Sequence, residues 1–208
     1  MKKGLKRPLE LAIEIASSKP YTISFSEGHE PRIVEAAVEA VNLGIAKIIL
    51  VGKVEKVKHQ LAKYPCSYPD RIKIHDPIRS SLIKEFSKSY YELRKHKGIT
   101  YEDAKKQATS NLVYAALLVK NGHADGTLSG AVETTSNVVK TAIWVLGKAT
   151  QVKTVSSCFL IFPKSHEPMI YADCGLVIEP NDEELVDITI AASQSCKSLL
   201  NTDPRIAL

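Results

Sequence analysis

The chain is 208 residues long, 44% hydrophobic and 25% charged, a composition that supports a sizeable core in one large domain or two small ones. Its 28 basic and 23 acidic residues leave a formal charge of +5, but the lysines are spread from end to end and aromatics make up only 6%, so they read as a solvated surface, not a nucleic-acid face. No apolar run reaches the roughly 20 residues that span a bilayer, and Cys66, Cys158, Cys174 and Cys196 form no Cys-x-x-Cys pair, which suggests neither a zinc knuckle nor a disulfide scaffold and points to a reduced cytoplasm.

Met1 to Arg7 has the charge of a signal-peptide opening, yet Glu10 and Glu14 follow where an apolar segment would stand, so it reads as the edge of an amphipathic helix over residues 8–17. Tyr21 to Phe25 alternates as a strand. Pro31 suits the first position of a helix that stops near Gly44. The unbroken apolar run Lys47 to Gly52 fits a strand covered on both faces, followed by a short helix with Val54, Val57 and Leu61. Arg71 to His75 is a third strand and residues 80–94 a third helix. This strand and helix alternation predicts a parallel sheet. Thr100 to Asp103 resembles a capping box that opens one long helix through Leu118, closed by Gly122. A strand over Gly126 to Ser129 then delivers the chain to a glycine-rich loop.

Beyond Lys148 the texture changes. Lys153 to Phe162 and Pro168 to Ala172 read as two long strands that can pair antiparallel, and Asn181 with Glu184 caps a helix running to about Leu199. The organisation expected is a first α/β domain over 1–148 and an incomplete second α/β domain over 149–208. Pro204 to Leu208 looks like the first residues of a buried strand; a frayed tail is the plainer alternative.

The loop Ala124 to Ala131 packs two glycines, a carboxylate and two hydroxyls before a helix start, where backbone N–H groups favour an anion. Ser129, Gly130, Thr134, Thr135 and Ser136 are its candidate donors, although hydroxyls there also serve as helix caps. The loop is neither a Gly-x-Gly-x-x-Gly fingerprint nor a P-loop. Arg94 stands out in Tyr91 to Gly98 because a guanidinium recognises phosphate or carboxylate bidentately, whereas its neighbouring cations are explained by a helix C-terminus. Glu27-Gly28-His29-Glu30 can be a metal site but reads better as the acidic N-cap of the helix at Pro31. Asp173-Cys174-Gly175 reads as a strand-end turn, with no base identified to activate the thiol.

Together these segments resemble the phosphate acetyltransferase and phosphate butyryltransferase family, the acetyl branch more closely. The matching pieces are Glu27-Gly28 with Pro31-Arg32, Ile48 to Gly52, Tyr91 to Gly98, Ala124 to Ala131, Tyr171 to Asp173, and Ala207-Leu208. The resemblance implies a three-layer α/β/α domain of the isocitrate/isopropylmalate dehydrogenase kind, followed by part of a second α/β domain. It implies interconversion of acetyl phosphate plus coenzyme A with acetyl-CoA plus phosphate in an interdomain cleft. Coenzyme A is then a substrate, no cofactor is held tightly, no metal serves the chemistry, and the usual assembly is a cytoplasmic dimer. A nucleic acid or membrane partner is not expected.

Carried over by the resemblance, Arg94 falls on an arginine of the phosphate or substrate site, Ser129 and Gly130 on the substrate loop, and Thr134, Thr135 and Ser136 on the helix start beside it. Lys140 replaces an arginine, keeping charge but losing the planar fork, and Glu133 stands where a histidine is common. The family's serine-arginine pair and thiol-base aspartate have no counterpart here, so no catalytic residue is assigned. The expectation is an N-terminal portion from a shortened gene, weakly active or inactive alone, with an open strand edge that favours homo-oligomers. The alternatives are a catalytically silent ligand-binding or assembly domain of the same fold and a butyryl-transferring enzyme.

Overall fold

In the computed structural model, which describes residues 8–150, 152–163 and 167–208, the elements run α1 (Pro8–Ser18), β1 (Tyr21–Phe25), α2 (Pro31–Asn42), β2 (Ala46–Val51), α3 (Val54–Leu61), β3 (Ile72–His75), α4 (Ile83–Arg94), α5 (Tyr101–Ala108), α6 (Asn111–Lys120), β4 (Gly126–Leu128), α7 (Thr135–Val145), β5 (Cys158–Ile161), β6 (Met169–Ala172) and α8 (Asp182–Leu200). The basic stretch before residue 8 lies outside the described residues. β1 to β4 form one parallel sheet in the order β3-β2-β1-β4.

Both faces of that sheet are covered, and β2 shows how. Side chains of a strand alternate between faces. Ile48 and Leu50 pack with Ile33, Val34, Ala37 and Val41 of α2 and Val57 of α3, while Ile49 and Val51 pack against α6 on the other side. Each fully buried aliphatic side chain contributes roughly 1.5–3 kcal/mol. The α2 stripe at positions i, i+1, i+4 and i+8 is the amphipathic face expected of a surface helix. α6 is different: residues Leu112 to Leu118 are buried without a break, because α4, α5 and α7 enclose the side away from the sheet. Polar Ser24 enters this interior only with its hydroxyl donating to the Ala115 carbonyl at 3.0 Å.

Three expectations are corrected. The single helix over 100–118 is two helices, broken at Thr109 and Ser110. The Thr109 hydroxyl donates back to the Lys106 carbonyl at 2.7 Å and Ser110 is extended, so short polar side chains compete with the helical ladder there. The start at Thr100 is the capping box expected, with Asp103 as its acid. The first of the two late strands is short: Ser156 and Ser157 are held by Asp173, and pairing with β6 covers only Cys158 to Ile161. Residues 203–208 form no strand, and Ile206 and Leu208 are exposed, because no described strand offers them ladder partners.

The chain divides into two compact units, Ile13–Gly147 and a second that joins Lys148–Leu208 to the start of α1. Within the second, α8 packs on β6 and opens with the Asn181–Glu184 capping box. Among the described residues, no helix is long and apolar enough to cross a membrane.

Candidate functional site

In parallel sheets ligands gather at the carboxyl ends of strands. β1 runs out there into Ser26 and Glu27, and β4 beside it into Ser129 and Gly130. The two strand exits are tied together: the Ser26 hydroxyl, buried, donates to Ser129 Oγ at 2.8 Å, and the Ser26 N–H donates to the Leu128 carbonyl at 3.3 Å. On the other side, Gly28 lets the chain leaving β1 pass close to β2, since a Cβ would stand 3.0 Å from Leu50 Cβ and from the Val51 carbonyl. Gly130, at φ +110, makes the turn that points the next N–H groups inward.

Those N–H groups already hold an anion. Glu27 Oε2 accepts from Gly130 at 3.0 Å and Ala131 at 2.9 Å, and Oε1 accepts from Val132 and Glu133, both at 2.7 Å. Burial of Glu27, only 4% exposed, pushes its pKa up, but the four backbone donors outweigh that and hold it below its ordinary value. This corrects two expectations. The backbone cradle is filled by the chain's own carboxylate, so Gly130 offers a ligand no free N–H. The acidic run after β1 is not a helix cap: Glu30 occupies the N-cap position of α2 without capping it and pairs with Arg32, while Glu27 reaches to the neighbouring loop. Arg32 reaches the same loop, donating from Nη2 to the Ala131 carbonyl at 3.0 Å.

α7 carries the other candidates. Thr134 is its N-cap, accepting from the Asn137 N–H at 3.2 Å, and Thr135 and Ser136 are exposed in the first turn. Glu133 accepts from the Asn137 side chain at 3.1 Å, which secures its carboxylate beside the helix start. Ser136, Lys140 and Trp144 follow at four-residue spacing and form one stripe along the helix. The Arg94 guanidinium sits 4.1 Å from the centre of the Trp144 ring, and Lys140 Nζ lies 5.6 Å from the same ring. Helical side chains lean toward the N-terminus, so the ring carries Arg94 back over the turn that bears Lys140. The structure thus places Arg94 of α4 and Lys140 of α7 each over the Trp144 ring; Ser129 joins Ser26 at the strand ends.

Trp144 escapes the sequence analysis, and Glu27 enters it only as part of an acidic cap or metal site. The Trp144 signal was legible as the one tryptophan of the chain, four residues beyond Lys140. Glu27 needed its partner loop, 103 residues away.

In the second unit, Asp173 follows β6 and forms the expected strand-end turn. Burial raises its pKa, but N–H groups of Leu176, Ser157 and Gly175 and the Ser156 hydroxyl hold it far below the usual carboxylate range. Cys174 lies in this turn with its sulfur 3.3 Å from Ser157 Oγ. Among the described residues, no group of three His, Cys, Asp or Glu side chains is placed to hold a metal ion.

Comparison with known proteins relates the chain as a whole to a known family. The chain is similar to phosphate acetyltransferases of Acetivibrio thermocellus, at 35% identity over 96% of this chain and 61% of that protein, and of Thermoanaerobacterium thermosaccharolyticum, at 33% over 96% and 62%. Among solved structures it superposes on a phosphotransacetylase from Streptococcus pyogenes with a TM-score of 0.88 and 29% identity, covering 95% of this chain and 59% of that one. The EutD phosphotransacetylase from Staphylococcus aureus gives 0.83 and 26%, covering 92% and 57%. The chain spans about three-fifths of the length of these relatives. The family model described as "Phosphate acetyl/butaryl transferase" matches residues 9–208, and the chain belongs to that family.

Proposed function

We propose that this chain supplies the phosphate-binding part of an acyltransferase that interconverts acetyl phosphate and coenzyme A with acetyl-CoA and inorganic phosphate. The observation that carries this reading is the convergence of Arg94 and Lys140 on Trp144, along a helix whose first turn presents Thr134, Thr135 and Ser136. Two cations over one ring suit the phosphate of an acyl phosphate, and their charge favours its departure as the coenzyme A sulfur attacks the acetyl carbonyl. The carbonyl carbon gains the sulfur, the carbon to phosphate-oxygen bond breaks, and the thiol proton leaves to a base. Ser129, an acceptor from Ser26, retains its own hydroxyl proton for a ligand oxygen.

In this reading residues 1–148 form the first domain and 149–208 contribute to a second α/β domain. The protein is cytoplasmic and dimeric, coenzyme A is a substrate, and no cofactor is bound tightly. A second reading, a ligand-binding domain without turnover, is favoured by the occupied loop, since Glu27 already takes four donors that an oxyanion would use.

Titrating the ¹⁵N-labelled chain with acetyl phosphate tests the site. Saturable amide shifts over Ser129 to Ser136 are expected, with affinity falling about tenfold or more in Arg94→Ala, the scale of a lost charged hydrogen bond. Unchanged affinity in Arg94→Ala refutes its role. Coenzyme A-dependent turnover then separates the two readings: weak turnover supports the enzyme, binding with none supports the silent domain. Tighter binding of butyryl phosphate would reassign the acyl group.

A further inference from the structure

Trp144 stands on α7 one turn beyond Lys140, and it keeps 39% of its surface exposed although it is the one tryptophan of the chain. Resting on the phosphate-binding reading above, we propose that Trp144 is a positioning residue: its ring face holds the Arg94 guanidinium in place for the phosphate and leaves it cationic.

Arg94 is the last residue of α4, and a long side chain at a helix end has many rotamers open to it. Among the described residues it forms no ion pair and no side-chain hydrogen bond. What it does meet is the Trp144 ring. Its Cζ lies 4.1 Å from the ring centre, well inside the roughly 6 Å over which an aromatic face attracts a cation. Lys140 Nζ, at 5.6 Å, lies near that limit, so the ring acts chiefly on Arg94. The ring also has a fixed base. Thr141 and Val145 of α7 are buried, and Val145 belongs to one cluster with Phe86 and Tyr90 of α4.

The kind of partner decides what Arg94 can still do. A carboxylate would fix a guanidinium equally well, but it would take its N–H groups and offset its charge. Arg32 and Lys95 have that fate, paired with Glu30 and Glu92. An aromatic face attracts a cation through its quadrupole and adds no opposing charge, and tryptophan does so best. Arg94 is thereby placed while its planar fork of donors remains for a bidentate anion.

Because the chain has one tryptophan, biosynthetic replacement by monofluoro- and difluorotryptophan alters position 144 alone. Fluorine barely changes the shape of the ring but withdraws negative charge from its face. Acetyl phosphate affinity, read from amide shifts over Ser129 to Ser136, is expected to fall stepwise with fluorine count. In Trp144→Leu it falls roughly two- to fivefold, the scale of an exposed cation–π contact, and Trp144→Phe lies between. In an Arg94→Ala background Trp144→Leu costs less, because only Lys140 is left over the ring. An unchanged thermal transition verifies the fold of the leucine variant, and the fluorinated chains give the same reading without a change of shape. If Trp144 served packing alone, fluorine would have no effect and Trp144→Leu would cost the same in both backgrounds; either result overturns the proposal. Binding that Arg94→Ala weakens but fluorination leaves unchanged removes the role of Trp144 alone, whereas a wild-type chain without saturable binding removes the phosphate reading and this proposal together.

Discussion

Glu27→Gln isolates the carboxylate that organises the loop after β4. Glutamine keeps the shape of glutamate but replaces one acceptor oxygen with an NH₂ donor. Two of the four loop N–H groups then face a donor, either Gly130 with Ala131 or Val132 with Glu133. Hydrogen bonds to a charged group contribute about 1.5–3 kcal/mol each, so the direct loss is about 3–6 kcal/mol. Val132 is 63% exposed, and the loop can turn toward water. The lower end, about 3 kcal/mol, is therefore expected. For a chain of this size that lowers Tm by about 6–12 °C at neutral pH.

The pH dependence provides an internal check on that charge. The folded pKa of Glu27 lies below its ordinary 4.5, so its contribution is complete above that value and is lost as pH falls through the folded pKa. The gap between wild type and Glu27→Gln, followed by circular dichroism melts, closes in acid. Equal Tm at neutral pH refutes the reasoning, and a gap that persists unchanged in acid refutes its electrostatic origin.

Lys140→Arg restores a planar fork beside Arg94 on the Trp144 ring. Acetyl phosphate affinity, read from amide shifts over Ser129 to Ser136, is expected to tighten several-fold, and unchanged or weaker binding counts against phosphate lying at Lys140. His75, at the end of β3, has its pKa lowered by burial and then by the charges of Lys73 and His123, while Nδ1 lies 3.1 Å from the Tyr114 hydroxyl. The fold therefore favours neutral His75: its contribution is complete above the ordinary 6.5 and is lost as pH falls through the folded value. Urea midpoints in the wild type should drop between neutral pH and about pH 5.5, and His75→Phe should flatten that drop. An identical slope in the variant excludes His75 as its source.

The sheet was legible because apolar periodicity and local chemistry agree in it. The four strands over Tyr21 to Phe25, Lys47 to Gly52, Arg71 to His75 and Gly126 to Ser129 appear within about one residue of the expected bounds. Thr100 and Asn181 cap their helices as read, since a capping box closes within four residues. Errors arose where short polar side chains decide between equal local options. Thr109 and Ser110 carry no strong breaker such as proline, and only the packing of α5 on α4 with α6 against the sheet makes the break visible. Ser156 and Ser157 read as strand by pattern but bond to Asp173, 16 or 17 positions away.

Sequence by itself determined the parallel α/β architecture, the family resemblance, and Arg94, Ser129 and Lys140 as candidate residues, because each rests on local periodicity or on a short motif. Only tertiary structure decided which groups these residues meet. Whether a glycine-rich loop offers its N–H groups to a ligand depends on what else reaches them, and the chain sends Glu27 across from the adjacent strand. Which cations lie over one surface depends on the fold: Trp144 faces both Arg94 and Lys140, 46 positions apart in the chain. Anion recognition is a sum over groups brought within a few ångströms, and that proximity is created by the crossing of strands and helices distant in sequence.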